Sequence, residues 1–226
     1  MIKRIVAVAV ATATLAACGT STVPTAADGT SFTLSASTTT GTTTTGTTTT
    51  ATDPTEDDAV AADLVFLREE EKLARDVYIT LGERWGLIIF ANISESEQQH
   101  MDAVLQLLQV AGIPDPASGM GVGEFTNAEL GELYVELGDF GTANSVAALV
   151  VGATIEDLDL SDLAGMAERT QDTRILTVYE SLMKGSRNHL RSFVEHLTAA
   201  GVTYQPQFID EATYEAIVTS PAERGR

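Results

Sequence analysis

Residues 93–108 read ISESEQQHMDAVLQLL, an amphipathic helical run whose apolar stripe is interrupted by a glutamate and a histidine three apart. Stepping by alternating threes and fours gives Ile93, Glu97, His100, Val104, Leu107 and Ala111, apolar except for that pair. Positions three apart share one face of a 3.6-residue helix, so the two side chains reach one place together. A carboxylate buried there without a partner costs on the order of several kcal/mol. The stretch therefore requires matching groups from other helices.

The rest of the sequence supplies them. From Thr55 onward the pattern is helical almost throughout, with few alternating β-branched runs. Helix A is expected from Thr55, with Asp58 in capping position, to Trp85, where Gly86 stops it. Helix B is expected over about 91–111 and ends at GIPDP, residues 112–116. A connection of roughly thirty residues follows and carries one short helix, its start signalled by Thr126 and Glu129. Helix C is expected over about 142–163, helix D over about 170–200, and a short helix near 210–218 closes the chain. Two short connections flanking one long crossover is the ferritin-like plan for an all-α four-helix bundle.

Each long helix places an ionisable residue near the middle of its seam. Helix A reads Leu64, Leu67, Glu71, Ala74, Tyr78, Leu81 and Trp85; helix C reads Leu149, Gly152, Glu156, Asp159 and Leu163. Helix D reads Ile175, Tyr179, Leu182, Ser186, His189 and Phe193. If the seams converge, three glutamates and two histidines meet at the centre, and such a set requires positive charge. Arg75 and Arg187 are candidate cations, but a pair of metal ions supplies the charge more economically. Carboxylate and imidazole suit iron, manganese or zinc, and two ions about 3.5–4 Å apart is the usual spacing of such clusters. Most members of the acidic runs REEEKLAR, which contains Glu71, and IEDLDLSD, which contains Glu156, are expected to face water. His196 is read as structural or as a supporting group.

The N-terminal portion has a different character. Residues 1–18 open with Lys3 and Arg4, continue with an apolar run from Ile5 to Ala17 and end in LAAC, which reads as an export signal. LAAC resembles the bacterial lipobox, which implies that Cys18 becomes a lipid-bearing N-terminus. Cys18 is the chain's one cysteine, so the exported domain would have neither a disulfide nor a thiolate metal site. Residues 19–55 include a Thr-rich spacer without core-forming residues, and residues 56–226 form the helical domain. The net charge of −19 would become −21 with Lys3 and Arg4 removed, and no basic cluster interrupts the acid. Nucleic acid is therefore not an expected partner, and the membrane is expected to be reached through the lipid anchor only.

The residues around the proposed ligands resemble ferritin-like di-metal carboxylate proteins. EKLARDVY, residues 71–78, is similar to the rubrerythrin first-helix motif and favours Glu71 over Glu69 or Glu70 as the ligand. FANISESEQQHMDAV resembles the second-helix motif, GATIEDLD the third and GSRNHLRSF the fourth, mapping Glu97, His100, Glu156 and His189. The stretch from about 64 to 218 as a whole resembles the bacterial domain-of-unknown-function family 2202. Ser186 stands where a second Glu-x-x-His would place its glutamate, and Ala153 where rubrerythrins place a further acid. The remaining set is similar to that of dinuclear manganese catalases. The resemblance implies two metal ions, iron or manganese rather than zinc, acting on peroxide or oxygen, with Tyr78, Asp159, Tyr179 and Ser186 as supporting groups. It also leaves room for a homodimer. The competing expectations are a non-catalytic metal-binding or structural lipoprotein of the cell envelope, and a metal-free interaction domain held by buried ion pairs.

Overall fold

Thr55 begins the first helix as the residues predict: its hydroxyl accepts from the Asp58 amide at 3.2 Å, and Asp58 accepts from the Thr55 amide at 3.1 Å. The computed structural model describes residues 55–224. The expected export signal, Cys18 and the Thr-rich spacer lie outside them. Among the described residues the fold is all-α, with helices α1 (Glu56–Trp85), α2 (Ile88–Ala111), α3 (Ala128–Gly141), α4 (Ser145–Ala167), α5 (Thr173–Ala199) and α6 (Glu211–Thr219).

The four long helices form a closed ring of contacts: α1 packs on α2 and α4, and α5 packs on the same two. Two residues, Gly86 and Leu87, join α1 to α2. Gly86 lies at φ 66°, a left-handed conformation that glycine adopts without a Cβ penalty. Because the chain reverses in that short space, α2 starts three residues earlier than the apolar period suggests. Between α2 and α4 lies the long crossover, residues 112–144, which carries α3. Its helix is capped by Asn127, not Thr126. Asn144 caps α4 by accepting from the Ala147 amide at 2.8 Å, so that helix begins later than expected and runs on past Leu163 to Ala167. Asp172 does the same for α5 and Asp210 for α6.

The acidic run at 68–72 is the largest departure from expectation. Arg68, Glu69, Glu70, Glu71 and Lys72 are all buried. Three of them fasten the crossover to α1. Arg68 forms a fork on Asp115 at 3.0 and 3.1 Å, and Lys72 donates to Asp76 and to the Gly121 carbonyl at 2.6 Å. Glu69 accepts from the amide and hydroxyl of Thr126 at 2.6 and 2.7 Å, which explains why Thr126 is not the helix cap. These groups are buried beneath a loop that the helical pattern of α1 does not announce. Asp157, in the second run, is likewise fully buried and anchors the segment before α6. It accepts from Tyr204 Oη at 2.8 Å and from the amides of Gln207 and Ile209 at 2.5 and 2.9 Å.

Two apolar clusters fill the interior. One contains Leu64, Leu67, Val104, Leu108, Leu163, Met166, Ile175, Tyr179 and Leu182. The other contains Val77, Tyr78, Phe90, Ile93, Ala148, Ile155, Leu190 and Phe193 among its members. All four long helices also carry polar residues into the interior, where they form a polar layer: 70–71 on α1, 97 and 100 on α2, 156 and 159 on α4, and 186 and 189 on α5.

Candidate metal centre

That polar layer brings together all five residues singled out as ligands. Glu97 lies at the centre of it, with one oxygen directed to each histidine. Oε2 is 2.8 Å from His100 Nδ1, and Oε1 is 2.8 Å from His189 Nδ1. Glu71 Oε2 lies 3.2 Å from the same nitrogen of His100, and Glu156 Oε2 lies 3.5 Å from that of His189. The imidazole rings stack with centroids 5.6 Å apart. Two three-residue sets result, Glu71–Glu97–His100 and Glu97–Glu156–His189, each with its candidate ligand atoms within 4.8 Å of one another. They share Glu97.

The electrostatics follow from crowding. Burial alone would raise Glu97, but His100 and His189 outweigh it and hold its carboxyl far below the ordinary carboxylate range. Burial also pulls both imidazoles down, yet Glu97 and Glu71 carry His100 well above its usual value, and Glu156 and Glu97 carry His189 up to about 10. Glu71 is driven well up by burial and Asp159, and Glu156 is raised by burial against the pull of His189. Without metal, protons are the counter-charge.

No arginine or lysine takes that role. Among the described residues, none forms an ion pair with these carboxylates. Arg75 is spent on Asp76 at 2.7 Å and Gln98 at 2.5 Å, and Arg187 on Glu180 and Glu223. Glu71 Oε1 is buried with no hydrogen-bond partner, while Glu97 Oε1 and His189 Nδ1 face each other. Buried polar atoms are nearly always hydrogen-bonded, so an unpartnered carboxylate oxygen within a buried carboxylate and imidazole set fits a bound cation.

The supporting groups divide. Tyr78 Oη donates to Glu156 Oε1 at 2.5 Å, and its ring packs with Phe90 and Phe193 at centroid distances of 5.9 and 5.5 Å. Ser186 Oγ donates to Asp159, so the acid absent from α5 at position 186 has a counterpart on α4. Burial, opposed by that hydrogen bond and reinforced by Glu156, raises Asp159 to about 7. Tyr179 does not join the layer. It packs in the apolar cluster with Leu64, Leu108 and Met166, near Asp63 and Arg169, because the seam of α5 passes from site to core within two turns. His196 is exposed, its Nδ1 2.8 Å from the Ser192 carbonyl, and takes no part.

Two contributors are not legible in the residues alone. Glu70 is buried against Asp162, Asp159 and Glu71, which together with burial push it well up; only its neighbour in REEEK carries the motif. Gly185 carries no signal of its own in GSRNHL. A Cβ there would overlap His100 Nε2, closer than real contacts allow, so glycine on α5 makes room for a ring from α2. A Gly185→Ala chain is expected to lose about 1–3 kcal/mol to overpacking, read by denaturant unfolding, and to displace His100, read by histidine NMR shifts. Tyr78→Phe, which leaves a buried carboxyl oxygen unsatisfied, is expected to cost about 1–3 kcal/mol in the same unfolding measurement.

The family described as an uncharacterized protein domain, DUF2202, matches residues 61–221. The chain belongs to this family. It is 53% identical over 162 residues to the uncharacterized protein MJ0754 of Methanocaldococcus jannaschii, covering 72% of this chain and 88% of that protein. The crystal structure of hypothetical protein MJ0754 superposes with a TM-score of 0.71 at 52% identity, covering 72% of this chain and 93% of that one.

Proposed function

We propose that this DUF2202 chain is a ferritin-like four-helix domain, exported and lipid-anchored, whose polar layer holds a dinuclear iron or manganese centre reactive toward peroxide or oxygen. The observation that carries the reading is the pair of ligand sets sharing Glu97, buried and without a lysine or arginine partner. Helix order supports the architecture: two hairpins of long helices joined by one long crossover.

Glu97, common to both sets, would be shared by the two ions; Glu71 and His100 would hold one, and Glu156 and His189 the other. Two bound ions of variable valence supply two-electron redox chemistry without a thiol or organic cofactor. The chain's own residues define the conditions for it. Tyr78 holds Glu156 in place through its hydroxyl, as outer hydrogen bonds commonly orient metal-binding carboxylates. Phe90 and Phe193 close the side of the layer next to Tyr78 with apolar surface. Three ionised glutamates would offset three of the four charges on two divalent ions and leave one positive charge.

Metal analysis tests this directly. Protein expressed with ample iron and manganese is expected to carry two ions per chain, and fewer than one would remove the metal reading. A fully loaded protein that neither consumes peroxide nor changes its optical spectrum with oxygen would be a metal-stapled structural lipoprotein instead.

A further inference from the structure

Away from the polar layer, α6 and the tail border a cleft of about 770 Å³ against α4 and α5. Leu160, Ala164, Met183, Phe208, Ile209 and Ile217 give it a largely apolar lining, and Arg187 and Arg191 stand in the same wall. In a chain with a net charge of −19, two arginines in one apolar cleft mark a place where an anion is held.

One anion is already there, and the chain itself supplies it. Arg187 donates to Glu223 from Nε at 2.8 Å and from Nη2 at 2.7 Å, and Arg191 adds a bond at 3.1 Å. Such a fork is the geometry with which arginine selects carboxylates. Asn188 holds the Glu223 backbone, donating to its carbonyl at 3.0 Å and accepting from its amide at 2.8 Å. The other charged groups at the cleft are occupied. Glu180 lies on Arg187 at 2.8 Å, and Asp210 caps α6 by accepting from the Thr213 amide and hydroxyl. Glu223 itself is about one-third exposed and lies in a non-helical stretch after α6, so it can be displaced without unfolding a helix. The cleft volume is within the range of small-molecule sites, about 300–1,000 Å³.

We propose that this cleft binds an aliphatic monocarboxylate. Its head group replaces the Glu223 carboxylate on Arg187 and Arg191, its chain lies along the apolar wall, and residues 220–224 are the internal occupant that it displaces. The site is separate from the polar layer, and the proposal stands whether or not metal is bound there.

Titration calorimetry with dodecanoate below its micelle concentration tests it. Glu223→Ala protein, freed of the internal carboxylate, is expected to bind one dodecanoate at least tenfold more tightly than the full native chain. Adding Arg187→Ala to that variant is expected to weaken binding at least tenfold, and dodecanol is expected to bind at least tenfold more weakly than dodecanoate. Absence of saturable binding to Glu223→Ala would overturn the proposal, as would binding indifferent to the head group. Should the arginine variant fail to fold, the comparison of dodecanoate with dodecanol on Glu223→Ala decides without it.

Discussion

A Glu97→Ala protein is expected to hold at most one metal ion where the native chain holds two. Glu97 is the residue common to both ligand sets, its two oxygens each 2.8 Å from a different histidine. Glu71 and Glu156 each serve one side only, so Glu71→Ala or Glu156→Ala is expected to impair one ion and leave its neighbour bound. Metal content by mass spectrometry, with Glu97→Gln as the shape-preserving control, separates these outcomes. Retention of both ions by Glu97→Ala would show that the convergence of the four seams is not a metal-binding arrangement.

Opposite pH dependences are expected for metal-free and metal-loaded protein. Asp159 is raised from 3.8 to about 7, so the folded chain keeps that proton over a range in which the unfolded chain has released it. His189, raised from 6.5 to about 10, does the same at higher pH. In both cases the folded state binds more protons than the unfolded one, so stability falls as pH rises through these intervals. Glu97 acts in the other direction: its depressed value contributes stability above about pH 4.5 that is lost on acidification. From these three groups, metal-free protein should be most stable near about pH 4–4.5, where Glu97 is ionised and Asp159 has not yet lost its advantage, and should lose on the order of several kcal/mol toward pH 10, since a tenfold change in a protonation equilibrium corresponds to about 1.4 kcal/mol. Metal ions displace these protons, so loaded protein should gain relative stability as pH rises. Melting temperatures of both forms across pH 5–10 check this, and parallel curves would contradict it.

The amount legible in the residues differs with the kind of signal. Periodicity locates the long helices because the core demands apolar faces at a 3.6-residue repeat, and it exposes Glu71, Glu97, Glu156 and His189 because each breaks a seam. Helix starts are less legible. Leu87 and Asn127 take the cap positions of α2 and α3 although Ala91 and Thr126 mark the expected starts, since the two-residue turn and the Glu69 contact decide them. The run at 68–72 misleads for a related reason: charge suggests solvent, and only the crossover lying on α1 buries Arg68, Glu69 and Lys72. Tyr179 lies on a seam yet away from the site, since a seam identifies a face but not a depth along the axis.

From the residues alone follow an all-α domain and five side chains displaced onto apolar faces, because helical periodicity and the cost of burying charge are local properties of the chain. Tertiary structure alone decides that Glu97 lies between both histidines, that Asp159 meets Ser186, and that Gly185 leaves room for His100. Those relations depend on the rotation and axial register of helices distant in sequence, which are set when four apolar faces pack together.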